Sequence, residues 1–153
     1  MIKKFCFIIA LIFSFILPCF AQKIPVRISP TQVISTHHDE VEAGDYINFI
    51  IVKDLYVQDK LYLEKNTPVI GHVGFLHNNG WAGDNAEIKI NLFETVDTEG
   101  KKVIINYPLV LKGNSMKAND VKQWLADFFT YFIRGSEIYI EPDTKVFNIF
   151  IEQ

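Results

Sequence analysis

The chain has 153 residues, of which 49% are hydrophobic and 22% are charged, and its formal net charge is −3. This length suits one domain. The acidic balance, without a basic cluster, argues against nucleic acid as a partner and against anionic lipid.

Residues 1–21 are typical of a secretory signal peptide. Two lysines near the start precede an apolar run from Phe5 to Leu17, and Ala21 supplies a small residue at the cleavage position. The run is shorter than the ~20 apolar residues of a spanning helix. The sequence therefore predicts an exported bacterial protein, in the periplasm or at the cell surface, with one mature domain over residues 22–153. Retention of the segment as an N-terminal anchor is the alternative.

Both cysteines, Cys6 and Cys19, lie in the predicted signal peptide. Cleavage after Ala21 leaves a mature domain without disulfides, thiol nucleophiles or cysteine metal ligands. Lipid attachment at Cys19 is a third option, which the proline before it disfavours. The mature chain would carry 13 basic and 18 acidic residues, a net charge of −5.

Most of the remaining chain alternates apolar and polar residues, as β-strands do. Residues 22–30 alternate around Pro25 and Pro30, which favours an edge strand. The other main predicted β segments are residues 46–57, 61–76, 86–96 and 102–111. The turn at 97–102 joins the last two of these segments as a hairpin.

Two stretches repeat one pattern. Residues 61–70 read LYLEKNTPVI and residues 138–147 read IYIEPDTKVF, with tyrosine, glutamate, threonine and valine in matching places. A strand-turn-strand unit used twice fits two equivalent corners of a closed β fold. The predicted fold is mainly β, with about seven or eight short strands in a small barrel or sandwich.

One segment has helical periodicity instead and predicts an amphipathic α-helix near residues 119–134. Asn119 can cap its start and Gly135 can end it. The helix either covers an open end of the β fold or docks on a partner. Its polar face is not the lysine- and arginine-rich face of an interfacial membrane helix, so a protein partner is favoured over lipid. The candidate partner-binding residues are Trp124, Phe128 and Phe132.

Three stretches stand in order: AGDYINF (43–49), VKDLYV (52–57) and EKNTPVIGHV (64–73). They resemble a pattern of secreted and envelope-associated bacterial β domains, roughly G-D-x-V-x-F, D-V-x-V and I-P-K-G-T-x-V-x-G-x-V. The run is similar to the TrbI-like β-barrel domain of conjugation and type IV secretion channels. The resemblance implies a β fold and an envelope setting and brings no catalytic residues. Asn66 replaces the usual glycine, and asparagine also tolerates the left-handed conformation.

The stretch HHDEVEAGD, residues 37–45, places two histidines beside acidic residues. His37 or His38 could form a three-ligand zinc site with His72 and His77. The spacing matches no motif with a known mechanism, so a solvated turn is the favoured interpretation. We predict neither a metal site nor a cofactor.

No serine of the mature chain lies in a G-x-S-x-G or S-x-x-K motif, and the paired carboxylates lie in predicted turns. The sequence therefore predicts a non-catalytic protein.

The loop HNNGWAGDN, residues 77–85, is the best candidate for ligand binding. A tryptophan among asparagine, glycine and aspartate can stack on a sugar or contact a peptide. The candidate residues are Trp81, Asn79 and Asp84. The alternative is a long hairpin connection with the tryptophan packed over the barrel end.

The sequence therefore leads to three hypotheses about function. The first is a non-catalytic envelope module that mediates protein–protein interaction. The second is a periplasmic or surface binder of carbohydrate or another small ligand through the Trp81 loop. The third is a metal-dependent enzyme that uses the histidines.

Overall fold

The computed structural model describes residues 23–37, 40–113 and 134–152. These residues contain eleven β-strands and no helix long and apolar enough to cross a membrane. The strands are β1 (Lys23–Pro30), β2 (Ile34–Ser35), β3 (Tyr46–Ile51), β4 (Leu55–Val57), β5 (Lys60–Leu63), β6 (Pro68–His77), β7 (Glu87–Val96), β8 (Lys102–Ile105), β9 (Leu109–Lys112), β10 (Tyr139–Ile140) and β11 (Phe147–Glu152).

Six strands form a nearly closed antiparallel barrel, in the order β11, β1, β3, β6, β7, β8. The predicted mainly-β fold is therefore confirmed, and its form is a barrel. The strand number was predicted too low, because residues 46–57 divide into β3 and β4 and residues 102–111 divide into β8 and β9. Both β8 and β9 pair with β7, which confirms the predicted hairpin.

The barrel is not closed by hydrogen bonds between β8 and β11. These two strands have Cα atoms within 8 Å of each other but are not paired in the sheet. The aromatic rings of Tyr107, after β8, and Phe150, in β11, approach to 5.2 Å between centroids. We call this junction between β8 and β11 the seam.

Alternate side chains of the barrel strands fill the interior. The rings of Phe49 and Phe93 meet edge to face, with centroids 5.8 Å apart. Gly71 gives them room, because a Cβ there would lie 3.0 Å from Phe49 and 3.1 Å from Phe93. Burial of each large apolar side chain stabilises the fold by about 1.5–3 kcal/mol. Other buried members of this core include Val26, Ile28, Ile47, Ile51, Val69, Ile88, Ile90, Ile105 and Ile149.

The prediction that residues 22–30 form an edge strand was wrong, because β1 lies between β11 and β3. The two neighbours use different parts of the strand: residues 23–28 pair with β11, and residues 28–30 pair with β3. Pro25 therefore lies where β1 has a paired strand on one side only. A proline tolerates this position because it lacks the N–H that a second neighbour would require.

Two short two-stranded sheets lie at matching corners of the barrel. In one, β4 pairs with β5, and in the other, β2 pairs with β10. The turns that follow β5 and β10 close with the same backbone bond, from Thr67 N to Glu64 O at 3.3 Å and from Thr144 N to Glu141 O at 3.4 Å. The repeated strand-turn-strand unit read from the sequence is thus present in the structure.

Two predictions fall mainly outside the described residues. They are the signal peptide at residues 1–21 and the helix at 119–134, with Trp124, Phe128 and Phe132. Arg134, the last residue of the predicted helix, is described and is not helical.

Candidate functional site

The loop that joins β6 to β7 has a compact backbone of its own. Gly80 N donates to Asp84 O at 2.8 Å, and Asp84 N donates to Trp81 O at 3.3 Å. Between them, Ala82 and Gly83 have φ angles of 63° and 73°. Such left-handed residues reverse the chain in a tight turn, so Trp81 stands at the start of a short, hydrogen-bonded tip.

A second segment, residues 134–136, holds this loop from the side. Gly135 N donates to Gly80 O at 2.8 Å, and the Asn79 side-chain amide donates to Gly135 O at 2.7 Å. A Cβ on Gly135 would lie 1.8 Å from Asp84 O, so only glycine permits this close backbone approach. The loop is therefore attached to another part of the chain through main-chain contacts.

Two further hydrogen bonds continue this attachment towards β7. Ser136 N donates to the side-chain oxygen of Asn85 at 2.8 Å, and Ala86 N donates to Ser136 O at 3.0 Å. They fix the end of the loop before Glu87, where β7 begins.

Trp81 is 71% exposed, so it does not pack over the barrel end. The two other predicted ligand-binding residues have contacts within the protein. The Asn79 amide is engaged with Gly135 O and accepts from Arg134 Nη2 at 3.4 Å. An Asp84 carboxylate oxygen lies 2.7 Å from His77 Nε2. The indole is thus the large free surface of this loop.

The described histidines lie beside different carboxylates. His37 Nδ1 is 2.7 Å from Glu137 Oε2, while His72 Nε2 is 3.5 Å from Glu94 Oε1. His77 contacts Asp84 instead. Within residues 23–37, 40–113 and 134–152, no group of three or more histidine, cysteine, aspartate or glutamate residues could hold a metal ion. His38 lies outside the described residues.

A polar cluster on the outer face of the barrel was not anticipated from the sequence. Lys102 Nζ lies 2.8 Å from Glu94 Oε2, and the ring of His72 meets Tyr46 edge to face with centroids 4.7 Å apart. The Lys102 hydrogen bond, together with the charges of Lys102 and His72, holds the pKa of Glu94 below its ordinary value. Strand register brings these residues together, and a single sequence does not specify that register.

An apolar surface adjoins this cluster. Ile70 on β6 and Ile104 on β8 flank Glu94 and are 39% and 53% exposed. Nearby Val96, on β7, is 44% exposed. The only sequence signal for this surface is that residues 68–73 are apolar at positions on both faces of their strand.

No family model, no curated protein and no solved structure matches this chain. The strand pairing shows a mainly β, nearly closed antiparallel barrel, and the comparisons identify no family. The similarity of residues 43–73 to the TrbI-like domain stays a prediction from the sequence.

Proposed function

We propose that this protein is a non-catalytic exported module that binds another protein of the bacterial envelope, with Trp81 as its main contact. The observation that carries the proposal is an indole that is 71% exposed on a loop anchored by main-chain hydrogen bonds. Export is inferred from residues 1–21, and the lack of catalysis from the absence of nucleophile motifs in the sequence.

The physical reason is the cost of ordering a binding surface. Tryptophan supplies a large contact area with few rotatable bonds and is enriched among the residues that dominate interface energies. Binding with a mobile loop loses free energy to ordering, and a loop already held in place avoids much of that loss. The contacts of Gly135 with Gly80 and Asn79 hold this loop before any partner arrives.

A second candidate function is carbohydrate binding at the same loop. It is favoured by the polar groups of His77 and Asp84, which are 46% and 52% exposed beside the tryptophan. Sugar recognition also needs several hydrogen-bonding groups that are free to face the ligand. Asn79 is already bonded to Gly135 and Arg134, so the loop offers fewer such groups and protein binding is the better-supported function.

The direct test is cross-linking in the native envelope. A photoreactive amino acid at position 81 should form one defined adduct with an envelope protein, and Trp81→Ala should abolish co-purification of that protein. Tyr139→Ala is the matched control, because Tyr139 is another exposed aromatic residue, at 62%, and lies on neither proposed binding surface. Unchanged co-purification by Trp81→Ala would contradict the proposal. Binding to a glycan panel that depends on Trp81, without a protein adduct, would establish the second candidate.

The predicted helix residues Trp124, Phe128 and Phe132 remain a proposed additional contact. Changing Phe128 and Phe132 together to serine would test them, provided that circular dichroism shows an intact β fold. Loss of the same partner in both this variant and Trp81→Ala would indicate one interface made from both segments.

A further inference from the structure

A groove of about 480 Å³ lies on the outer surface of the barrel, away from the Trp81 loop. Its walls come from β1, from β11 and from residues 53–55, which join β3 to β4 and include the first residue of β4. Residues of β1 alternate here, with Val26 and Ile28 buried in the core and Pro25 and Arg27 exposed towards the groove.

Two cationic side chains line this groove. Arg27 and Lys53 have no carboxylate partner among the described residues, whereas the ammonium group of Lys23 on the same sheet pairs with Glu152 at 3.4 Å. One acidic residue, Asp54, also lines the groove, but its Oδ1 accepts the Lys65 N–H at 2.7 Å. The lining is therefore net positive on a chain whose formal net charge is −3.

The rest of the lining is mainly apolar and held in place. Pro25 pairs directly with Phe150 across β1 and β11, and Leu55 is half-buried on the opposite wall. The Phe150 ring also contacts the Tyr107 ring, with centroids 5.2 Å apart. A preformed apolar surface beside these two cations is complementary to a ligand with a carboxylate next to a large apolar group.

We propose that this groove binds an acidic peptide segment of a partner protein. The Arg27 guanidinium would receive an aspartate or glutamate carboxylate, since its planar donors match both carboxylate oxygens, and Lys53 would add a second charge. An aromatic or aliphatic side chain next to that acid would pack on Pro25, Leu55 and Phe150.

The border of the groove favours a peptide over a small carboxylate. Leu55 begins β4, which among the described residues is paired only with β5. The β5 strand, by contrast, is contacted on its other side by Thr98, whose N–H donates to Tyr62 O at 3.2 Å. An unpaired strand edge offers main-chain donors and acceptors to an extended segment.

The test uses the full exported protein and two labelled heptapeptides, Gly-Ser-Phe-Asp-Phe-Ser-Gly and the same peptide with Asn for Asp. Fluorescence anisotropy should show that the Asp peptide binds about tenfold more tightly than the Asn peptide. Arg27→Ala should weaken binding of the Asp peptide about tenfold or more, as expected for a charged hydrogen bond. Lys53→Ala should weaken it less, because a single ammonium lacks the bidentate geometry.

The controls separate this groove from other surfaces. Lys101→Ala removes a surface lysine that has no carboxylate partner in the described part of the chain and does not line the groove, so it should leave binding unchanged. Trp81→Ala should also leave it unchanged, so this proposal and the one for the Trp81 loop can fail independently. Because Arg27 is exposed, its variants should keep the wild-type circular dichroism spectrum. Arg27→Glu should reverse the preference, so that a Lys-containing peptide binds more tightly than the Asp peptide.

Three results would overturn the proposal. They are equal affinity for the Asp and Asn peptides, no effect of Arg27→Ala on the Asp peptide, or binding of N-acetylphenylalaninate as tightly as the whole peptide. The last result would make the groove a site for small amphiphilic carboxylates.

Discussion

Asn66 and Asp143 occupy the same left-handed conformation at equivalent positions of two turns, with φ angles of 69° and 58°. Each donates its N–H to the last residue of an earlier strand: Asn66 to Ile51 O at 2.7 Å, and Asp143 to Pro30 O at 3.0 Å. Asparagine and aspartate are the non-glycine residues that best tolerate this region. The chain therefore builds one corner geometry twice from different neighbouring residues.

The first prediction concerns these corners. Asn66→Ala and Asp143→Ala should each lower the free energy of unfolding by about 1 kcal/mol, because alanine strains the left-handed conformation. Asn66→Gly and Asp143→Gly should cost less than the alanine changes, since glycine adopts positive φ without a Cβ clash. Urea denaturation of the four variants measures this. Lys65→Ala, in the same turn but without a positive φ, is the control for a surface change, and equal losses for alanine and glycine would contradict the conformational argument.

The second prediction concerns the attachment of the Trp81 loop. Gly135→Ala should lower the free energy of unfolding by about 1–3 kcal/mol, because the new methyl group would meet the backbone of Asp84 at 1.8 Å. Gly74→Ala is the matched control, since the methyl group there meets only the side-chain amide of Asn91, which can rotate away. Thermal unfolding monitored by circular dichroism compares the two. A smaller loss for Gly135→Ala than for Gly74→Ala would contradict the prediction.

The third prediction concerns pH. Hydrogen bonds from Lys112 and Lys89, at 2.9 and 3.1 Å, lower the pKa of Glu87. A carboxylate with a lowered folded pKa stabilises the protein fully above the ordinary glutamate pKa of about 4.3, and this contribution is lost as the pH falls through the folded value. Lys112→Met should therefore reduce stability at neutral pH.

The difference between wild type and Lys112→Met should shrink as the pH is lowered below the ordinary glutamate range, because Glu87 is then protonated in both proteins. Urea midpoints across the acid range measure it. Lys145→Met, which removes a lysine without a carboxylate partner among the described residues, should give a pH-independent difference. A constant deficit of Lys112→Met at every pH would show that lost packing, and not Glu87, is responsible.

The fourth prediction concerns the seam. Tyr107→Ala and Phe150→Ala should each destabilise the barrel, and a double-mutant cycle should give a coupling energy of about 0.5–1.5 kcal/mol for the ring pair. Chemical denaturation of the two single variants and the double variant measures the coupling. Trp81→Ala combined with Phe150→Ala provides the control cycle and should be additive, because the Trp81 loop does not line the groove to which Phe150 belongs. A coupling near zero for Tyr107 and Phe150 would mean that the rings do not hold the seam.

The local signals in the sequence were sufficient for the main β segments and for the turns between them, but not for the division of residues 46–57 and 102–111 into two strands each. Alternation identified β3 and β7, and the Glu-to-Thr turns identified both corners. Contacts between distant parts of the chain were not predictable, because they depend on register and on which strands become neighbours. The internal position of β1 belongs to this class, as does the placement of Arg27 and Lys53 in one groove.

In the candidate site, too, local sequence signals were predictable and contacts between distant residues were not. Composition alone drew attention to residues 77–85, but it left open whether Trp81 was packed or exposed. That outcome depends on Gly135, which lies 54 positions further along the chain. The loop backbone can approach Gly135 closely only because this residue has no side chain.

Because the seam is not hydrogen-bonded, the strands of the barrel differ in how many paired neighbours they have. Strands β3, β6 and β7 have hydrogen-bonded neighbours on both sides, whereas β8 and β11 each meet the seam on one side. Separating β8 from β11 breaks side-chain contacts but no ladder between them, so the barrel has a preferred line along which to open. Amide protons of β8 and β11 should consequently exchange with solvent through smaller openings than those of β3 and β6, whose exchange requires the whole wall to come apart.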